Sequence, residues 1–403
     1  MQFNRTFFLS MPRPGTYRSA MHDLGRVSRL FDMRADFVGA APYGSGHIND
    51  TYLARYDLAG REVRFIHQRI NHEVFSDPVA LMENVERVTR HALRRLVEAG
   101  HPEARRRTLT TIPALDGKPY AFDDDGNCWR TYPFIERARG YDQVEDERQP
   151  EAAARAFGEF QKLAADLPGG RLNETIPDFH HTPRRLDTLE AAAGDSPRRA
   201  EAAAEIDFAL ARKHEAGRIT DAIAAGGIPE RVTHNDTKLN NVLLDDLTME
   251  GVCVIDLDTT MPGSALHDFG DMVRTMCPTT REDQADPTAI DLRLDRFAAV
   301  VRGYLGTADF LVPAEIDLLA FSGRLLALEC GARFLTDHLD GDRYFKTSRP
   351  GQNLDRCRAQ FALVKAIENR LAEMEDLVAE CAGKPDRNFA LGTSGPAGRL
   401  RPT

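Results

Sequence analysis

The spacing of apolar and polar residues along this chain changes once, near residue 137. Residues 37 to 137 break their apolar runs into short pieces separated by turn sequences such as DLAG and DDDGN, which is typical of antiparallel hairpins. Within this region, DPVALMENVERVTRHALRRLVEAG repeats its apolar residues at helical spacing and ends in arginines followed by Gly100. The pattern therefore predicts a small antiparallel sheet with one main helix.

After residue 150 the pattern becomes helical. Helical spacing recurs in EAAARAFGEFQKLAADL, RRAEAAAEIDFALARKHEAGRITDAIAAGG, LDRFAAVVRGYLG, EIDLLAFSGRLLALECGARFLTDHL and RAQFALVKAIENRLAEMEDLVAECAG, and only residues 242 to 256 return to β-type sequence. The predicted fold class is α+β, with a sheet-rich N-lobe and a larger helical C-lobe joined near residues 134 to 136. We expect a tail and leading helix at 1–34, the N-lobe at 35–137, the C-lobe at 138–383 and a disordered tail at 384–403.

Composition narrows the class of protein. The 403 residues carry a net charge of −10 without a clear basic patch, so we expect no nucleic-acid partner. No apolar run is long enough for a membrane span, and the N-terminus has only a three-residue apolar cluster, which is too short for a signal peptide. The six cysteines form no C-x-x-C pair and are expected to be reduced, so we expect a cytoplasmic protein whose oligomeric state stays open.

The segment THNDTKLNNVLLDDLTMEGVCVIDLDTT contains a predicted hairpin, because the apolar runs VLL and VCVI flank the polar turn DDLTMEG. The register that we predict pairs Leu244 with Cys253 and makes Asn241 face Asp256 at the open end. An amide oxygen and a carboxylate at one point suit Mg²⁺, which prefers oxygen ligands. Asp258 lies two residues beyond Asp256 and is a third candidate ligand.

The residues before this hairpin follow the pattern H-x-D-x-x-x-x-N, in which His234 precedes Asp236 and Asn241 closes the motif. Phosphoryl-transfer loops use this spacing, with the aspartate accepting the proton of the substrate hydroxyl and the asparagine holding magnesium. Lys238 follows the aspartate closely enough to contact the transferring phosphate. The alternative is a polar loop whose side chains only stabilise turns, and the strand ending in I-D-x-D favours the catalytic interpretation.

The N-terminal region adds weaker signals for phosphate binding. PYGSGHINDTYL places Gly44 and Gly46 between two predicted strands, where glycine lets backbone amides approach a phosphate. The next strand, VRFIHQRI, has Gln68 where a phosphate-binding lysine is expected. The helix offers Glu83 and Glu86 as partners for that position, and the sequence does not choose between them.

The triplet Asp-Phe-Gly within HDFGD marks a magnesium aspartate in protein kinases. Here Asp268 follows MPGSALH instead of a strand, whereas Asp256 ends an apolar strand. Strand geometry therefore assigns the metal to Asp256, and Asp268 is expected to act as a helix cap or as a brace for the catalytic loop.

These motifs together resemble the aminoglycoside phosphotransferase and choline kinase group of protein-kinase-like small-molecule kinases. Longer segments, including QRINHEVFSDPVALMENVERVT, VIDLDTTMPGSALHDFGD and FSGRLLALECGARFL, resemble the bacterial N-acetylhexosamine 1-kinases within that group. The resemblance implies a protein-kinase-like bilobal fold and Mg²⁺- and ATP-dependent phosphorylation of the anomeric hydroxyl of N-acetylglucosamine or N-acetylgalactosamine. It also implies that Asp236 is the base and that Asn241 and Asp256 are the metal ligands.

The resemblance also extends the set of expected contacts. Nucleotide contacts are expected at Gly44, Ser45, Gly46 and Gln68 and along Phe134, Ile135 and Glu136. Substrate contacts are expected at His47, Asp236, Arg333 and Tyr344. Two alternatives remain, namely a kinase of the same fold that acts on an aminoglycoside, choline, homoserine or another sugar, and a non-catalytic nucleotide-binding pseudokinase.

Overall fold

The computed structural model describes residues 22–44, 46 and 48–383. The tail expected at 384–403 and most of the tail expected at 1–34 lie outside these residues, as do Ser45 and His47. A short helix, α1 (Leu24–Ser28), opens the described part of the chain. None of the described helices is both long enough and apolar enough to cross a membrane.

Five antiparallel strands form the predicted N-terminal sheet, in the order β1-β2-β3-β5-β4. Their bounds are β1 (Asp36–Pro42), β2 (Asp50–Leu58), β3 (Arg61–Arg69), β4 (Ala121–Phe122) and β5 (Cys128–Pro133). The DLAG sequence makes the tight turn between β2 and β3, where Ala59 and Gly60 both adopt positive φ angles, as a two-residue hairpin turn requires. Both hairpins expected from DLAG and DDDGN are therefore present.

The predicted helix of this region is α2 (Pro78–Glu98). Its N-terminus is capped by Asp77, whose carboxylate accepts a hydrogen bond from the backbone N–H of Ala80 at 2.9 Å. Leu81 and Val85 lie on its buried face, as helical spacing predicted. Asn84 on this helix donates to the carbonyl of Thr260 at 3.1 Å, so α2 is tied to the C-terminal region beside the predicted metal site.

The C-terminal region is mainly helical. Its helices are α3 (Gln149–Ala164), α4 (Thr182–Asp195), α5 (Ala203–Leu210), α6 (Arg218–Ala224), α7 (Ala265–Met276), α8 (Leu294–Leu305), α9 (Pro313–Ile316), α10 (Leu319–Leu339) and α11 (Gln352–Ala382). Its short strands are β6 (Ala138–Arg139), β7 (Arg231–Thr233), β8 (Val242–Asp245), β9 (Gly251–Val254) and β10 (Met261–Gly263). An antiparallel sheet followed by a helical region is the predicted kinase-like α+β fold.

Some elements were not predicted from the sequence patterns. Helix α4 is one of them, and the two-stranded β7–β10 ladder is another, because two three-residue strands carry no measurable alternation. The long segment that begins RRAEAAAE forms two short helices, α5 and α6, instead of continuous helix.

The register predicted for the β8–β9 hairpin was wrong by one residue. Leu243, not Leu244, pairs with Cys253, and a bulge then places Leu244 opposite Gly251. The bulge adds a residue to one strand, which no count along the sequence reveals. Ile255 donates its backbone N–H to the carbonyl of Asn241 at 2.9 Å, so Asp256 lies one residue past the partner of Asn241.

Helices α7 and α10 pack closely in the core of the C-terminal region. A Cβ atom on Gly270 would lie 2.5 Å from the backbone oxygen of Ser322, so only glycine allows the observed approach. Gly323 on α10 is similarly tight against Val273 on α7. This contact sets the position of α7, which carries several polar residues described below.

Replacing Gly270 with alanine should lower the free energy of unfolding by about 1–3 kcal/mol, because the added methyl group forces the two helices apart. The matched control is Gly194→Ala on α4, where a Cβ meets no atom within 4 Å and no stability loss is expected. Urea unfolding of both variants measures the difference. Equal stability of Gly270→Ala and the wild type would contradict the close packing of α7 on α10.

Candidate active site

The H-x-D-x-x-x-x-N loop runs from the end of β7 to the start of β8. Asn235 adopts a left-handed backbone conformation (φ 64°), so the chain turns sharply just before Asp236. The Asn235 side chain donates to the carbonyl of Thr259 at 2.9 Å, and Thr259 donates to the carbonyl of His234 at 2.7 Å. The loop is thus fastened to the segment that follows β9.

Asp268 on α7 braces this loop. Its Oδ1 accepts the backbone N–H of Asn235 at 2.7 Å, and its Oδ2 accepts the backbone N–H of His234 at 2.9 Å and the side-chain amide of Gln161 at 2.6 Å. The helix is capped by Ser264, so the cap interpretation of Asp268 was wrong and the brace interpretation describes its contacts. Asp268 is fully buried.

Asp236 lies between a cation and an amide. Its Oδ1 is 2.7 Å from Lys238 Nζ, and its Oδ2 accepts from Asn241 Nδ2 at 2.9 Å. Burial alone would raise its pKa, but the Lys238 ammonium and its hydrogen bond lower the pKa of Asp236 to about 2. The carboxylate therefore stays ionised near neutral pH and can accept a hydrogen bond from a substrate hydroxyl.

His234 orients the same loop through both ring nitrogens. Its Nε2 is 2.9 Å from the carbonyl oxygen of Ile255 and must donate there, while its Nδ1 accepts the backbone N–H of Asp236 at 3.2 Å. These roles require a neutral imidazole protonated at Nε2. His234 thereby connects the backbone of the predicted base to the strand end that carries Asp256.

Asp256 follows β9 in a left-handed conformation (φ 57°), which interrupts the strand alternation and turns its side chain. The Asp256 side chain reaches the protein surface, but partial desolvation of its carboxylate by the surrounding protein, together with the nearby Asp258 and Asp236 carboxylates, raises the pKa of Asp256 to about 6. A carboxylate whose ionised form is disfavoured by two neighbouring carboxylates suits a bound divalent cation. Among the described residues no three His, Cys, Asp or Glu side chains converge as a preformed metal cluster, whereas Mg²⁺ typically takes one or two protein ligands plus phosphate and water.

Asp258 has other partners. Its Oδ1 is 2.5 Å from Arg130 Nη1, and its Oδ2 accepts from Asn49 Nδ2 at 2.6 Å. Both oxygens are therefore engaged by the protein, which counts against the metal role predicted for Asp258. The contacts favour Asn241 and Asp256 as the pair of ligands.

Arg130 on β5 is a residue that the sequence analysis missed. It is only 1% exposed, and it donates through Nε and Nη2 to Gln68 Oε1 at 2.9 and 2.6 Å. Gln68 in turn donates to Thr51 at 2.9 Å. The neighbouring strand therefore supplies a cation at the position where β3 has glutamine instead of lysine. A charged residue between Trp129 and Tyr132 in an otherwise buried strand was the available signal.

The two candidate glutamates of α2 form hydrogen bonds with residues other than Gln68. Glu83 accepts from Asn173 at 3.2 Å, and Glu86 accepts from Thr111 at 3.1 Å. Both lie on the α2 surface near loops of the protein. These contacts do not make either glutamate a partner of Gln68.

The expected nucleotide contacts lie along the N-terminal sheet. Gly44 has a positive φ angle, and a Cβ atom placed on it would meet nothing within 4 Å, so its backbone is approachable. Phe134 directly follows β5, and its ring packs against Tyr43 at 5.8 Å and under the Arg64 guanidinium at 4.2 Å. Glu136 pairs with Arg64, so the segment from Phe134 through Ile135 to Glu136 is anchored to β3.

The expected substrate residues of α10 and beyond lie together. Arg333 stacks over the rings of Phe179 and Phe345, with its guanidinium carbon 5.0 and 5.7 Å from their centres. Tyr344 packs edge-on against Phe345 at 4.8 Å and remains half exposed. Phe179 precedes His180, whose Nε2 is 2.9 Å from the carbonyl oxygen of Asn235, so this group adjoins the catalytic loop.

The model of a phosphotransferase enzyme family matches residues 39–304, which is well over half of the chain. A microcompartment-associated aminopropanol kinase superimposes with a TM-score of 0.57 at 17% identity, covering 87% of this chain and 98% of that one. An aminoglycoside phosphotransferase from Alicyclobacillus acidocaldarius superimposes with a TM-score of 0.53 at 14% identity, covering 90% and 98%. At these identities the two structures demonstrate a shared fold.

Replacing Asp268 with asparagine should weaken the brace, because one oxygen becomes an amide that cannot accept the loop N–H groups. We expect unfolding free energy to fall by roughly 2–3 kcal/mol and turnover by about a hundredfold, since small displacements of a reacting group are costly. Asp286→Asn, the same change at an exposed turn, is the control and should leave both unchanged. A fully active Asp268→Asn variant would show that the loop needs no brace.

Proposed function

This chain belongs to the phosphotransferase enzyme family, and we propose that it is an ATP-dependent kinase that phosphorylates the anomeric hydroxyl of an N-acetylhexosamine. The product is the sugar 1-phosphate of N-acetylglucosamine or N-acetylgalactosamine. The observation that carries the proposal is the Asp236 carboxylate, held ionised between Lys238 and Asn241 beside Asp256.

Asp236 is proposed to orient the attacking hydroxyl and to accept its proton as the bond to phosphorus forms. A carboxylate with a pKa near 2 is a weak base, which suits a reaction in which positioning and charge stabilisation dominate. Lys238, 2.7 Å from Asp236, is proposed to contact the transferring phosphate. Its ammonium is held in place by the same carboxylate that orients the acceptor.

Asn241 and Asp256 are proposed to hold Mg²⁺, which supplies neutralisation of the charge on the phosphate oxygens when bound with ATP. Partial desolvation and the carboxylates of Asp258 and Asp236 raise the pKa of Asp256, so a cation there relieves their repulsion, and Asn241 donates its side-chain amide to the carbonyl oxygen of Asp236 at 2.7 Å. On the nucleotide side, Gln68 and the backbone near Gly44 and Phe134 remain the proposed contacts. Arg130 positions Gln68 through two hydrogen bonds.

The sugar assignment rests on the long motif resemblance and is supported by the location of Arg333 and Tyr344 next to the segment that contacts the catalytic loop. His47 and Asp236 complete the proposed substrate contacts. A kinase of another alcohol would use the same base and metal ligands. A pseudokinase is disfavoured, because a protein without phosphoryl transfer has no need for Asp236, Asn241 and Asp256 together.

Purified protein with Mg·ATP should phosphorylate N-acetylglucosamine or N-acetylgalactosamine in a panel that also contains amino alcohols, choline, homoserine and aminoglycosides. Phosphorus NMR of the product should locate the phosphate on the anomeric oxygen. Turnover of another alcohol without turnover of N-acetylhexosamines would overturn the sugar assignment and leave the kinase intact.

Asp236→Asn should reduce turnover by about 10²–10⁴-fold, because the side chain can no longer accept the hydroxyl proton. Its melting temperature should fall only slightly, since the variant loses an ion pair with Lys238 that is partly exposed and therefore contributes little to stability. Asp142→Asn is the matched control, because exposed Asp142 contacts Asn240 of the same loop at 3.0 Å and has no proposed chemistry. Retained activity in Asp236→Asn, with the product verified by NMR, would contradict the mechanism.

Asp256→Asn should raise the melting temperature in the absence of magnesium and should reduce the stabilisation that Mg·ADP provides. The folded-state pKa of Asp256 is raised from 3.8 to about 6, so its destabilising effect builds up as the pH rises between these values and is complete above the higher one. Without metal, the asparagine variant should therefore melt higher than the wild type at pH 8 and not at pH 4. Mg·ADP should stabilise the wild type more than the variant. A larger Mg·ADP stabilisation in the variant would exclude Asp256 as a ligand.

A further inference from the structure

Three elements of the N-terminal region meet the C-terminal region just beyond β9. Asn49, in the loop that joins β1 to β2, donates its side-chain amide to Oδ2 of Asp258 at 2.6 Å. Arg130 on β5 forms an ion pair with Oδ1 of Asp258 at 2.5 Å, and Asn84 on α2 donates to the carbonyl of Thr260 at 3.1 Å. The chain just beyond β9 is therefore a point where the two regions are joined beside the candidate active site.

The C-terminal region holds this segment in place through its backbone. Thr175 donates its hydroxyl to the carbonyl of Asp258 at 2.9 Å, and the side chain of Asn235 donates to the carbonyl of Thr259 at 2.9 Å. These two bonds leave the Asp258 carboxylate to contact the other region. Asp258 therefore has a fixed position from which its side chain holds parts of the N-terminal region.

The β1–β2 loop, which we define as residues 43–49, is held at both of its ends. At the first end, the backbone N–H of Tyr43 extends the ladder with β2. At the second end, Oδ1 of Asn49 accepts the backbone N–H of Asn71 at 3.0 Å, while Nδ2 of Asn49 is the atom that donates to Asp258. One side-chain amide therefore joins this loop both to the chain beyond β3 and to the C-terminal region.

The contact with Arg130 links the same carboxylate to β3. Arg130 donates to Oε1 of Gln68 through Nε and Nη2, and Gln68 donates to the hydroxyl of Thr51 on β2 at 2.9 Å. The side chains of Arg130 and Asp258 are only 1% and 3% exposed, and separating such a pair would leave two buried charges without partners. Asp258 is therefore connected to both parts of the sheet where we expect nucleotide contacts, namely the β1–β2 loop and Gln68.

We propose that Asp258 is a positioning residue that prepares the β1–β2 loop and β3 for the phosphates of ATP. Its carboxylate holds the loop through Asn49, and it holds Gln68 in place through Arg130. A loop that is already held needs less ordering when the nucleotide binds, so part of the entropic cost of binding is removed in advance. The bond from Asn49 is charge-assisted, and such bonds are about twice as strong as neutral ones. This inference rests on the proposed function for the nucleotide but not for the acceptor.

Asn49→Ala measures the contribution of this contact in the full-length protein. The variant loses the donor to Asp258 without adding charge, so the dissociation constant of ADP should rise about tenfold, both in EDTA and with Mg²⁺. The KM for ATP should rise by a similar factor, whereas the KM for the acceptor should stay within about twofold. Isothermal titration calorimetry gives the affinity for ADP without any turnover.

Asn127→Ala is the matched control. Asn127 is also a half-buried asparagine, and its side-chain amide donates to the two carboxylate oxygens of Asp123 at 3.2 and 2.9 Å. It lies in the turn between β4 and β5, and β3 and β5 separate β4 from β2 in the sheet. The melting temperature of this variant should fall, but its affinity for ADP should stay within about twofold of the wild type. An equal loss of ADP affinity in Asn127→Ala and Asn49→Ala would overturn the inference, because instability alone would then account for the loss.

Reversing the donor and the acceptor provides an independent test. Asn49→Asp retains the acceptor for the backbone of Asn71 but places a carboxylate against Asp258, so it should weaken ADP binding at least as much as Asn49→Ala. Adding Asp258→Asn supplies an amide that donates to the new carboxylate and restores the wild-type net charge, so the affinity for ADP should return to within about threefold of the wild type. A double variant that binds ADP no better than Asn49→Asp would overturn the inference. If the double variant does not fold, the comparison of Asn49→Ala with Asn127→Ala decides.

The outcomes separate this inference from the proposed function. Unchanged ADP affinity in Asn49→Ala, with the wild type phosphorylating N-acetylhexosamine, would overturn the inference alone. Weaker binding of Mg·ADP with unchanged binding of ADP in EDTA would also overturn it, because Asp258 would then act through the metal. Tenfold weaker ADP binding supports the inference even where the wild type phosphorylates another alcohol, which overturns only the sugar assignment. A wild-type protein that binds no ADP would overturn both.

Discussion

The geometry of this site depends on one buried carboxylate, Asp268, which accepts two backbone N–H groups of the catalytic loop and the side-chain amide of Gln161. The loop turns through the left-handed Asn235, and such a backbone persists only where surrounding contacts hold it. Asp268 projects from α7, and α7 lies against α10 at a contact that only glycine permits. The packing of these two helices therefore fixes the position of Asp268 and, through it, the position of the loop that carries Asp236.

Around this loop, the protein pairs most charges, whether buried or partly exposed. Arg130 meets Asp258, His180 meets Glu329, and Lys238 meets Asp236. Such pairs avoid the large cost of isolated charges in a poorly polarisable interior, and they also hold side chains in one orientation. Asp256 has no cationic side chain bonded to it, and its neighbouring carboxylates help to raise its pKa. We propose that a bound Mg²⁺ completes the electrostatics at this point.

Much of this fold could be predicted from local sequence patterns. The helical spacing of α2, α3, α8, α10 and α11 and the turn residues of two hairpins predicted the kinase-like arrangement, because these signals depend on neighbours in the chain. The spacing of Asp236 and Asn241 was visible for the same reason, and their catalytic role stays a prediction. The role of Arg130 was not predictable from the sequence, because it depends on contacts with Gln68 on the adjacent strand and with Asp258, which is far away in sequence.

The sequence by itself therefore determined the main helices, the hairpins, the order of the two regions and the loop that carries the candidate base. Only the tertiary structure decided the register of the catalytic hairpin, where a bulge moved Cys253 opposite Leu243, and the partners of Asp258, which an arginine and an asparagine engage. Pattern along a chain reports local preference, whereas pairing between distant charges depends on packing that brings them together.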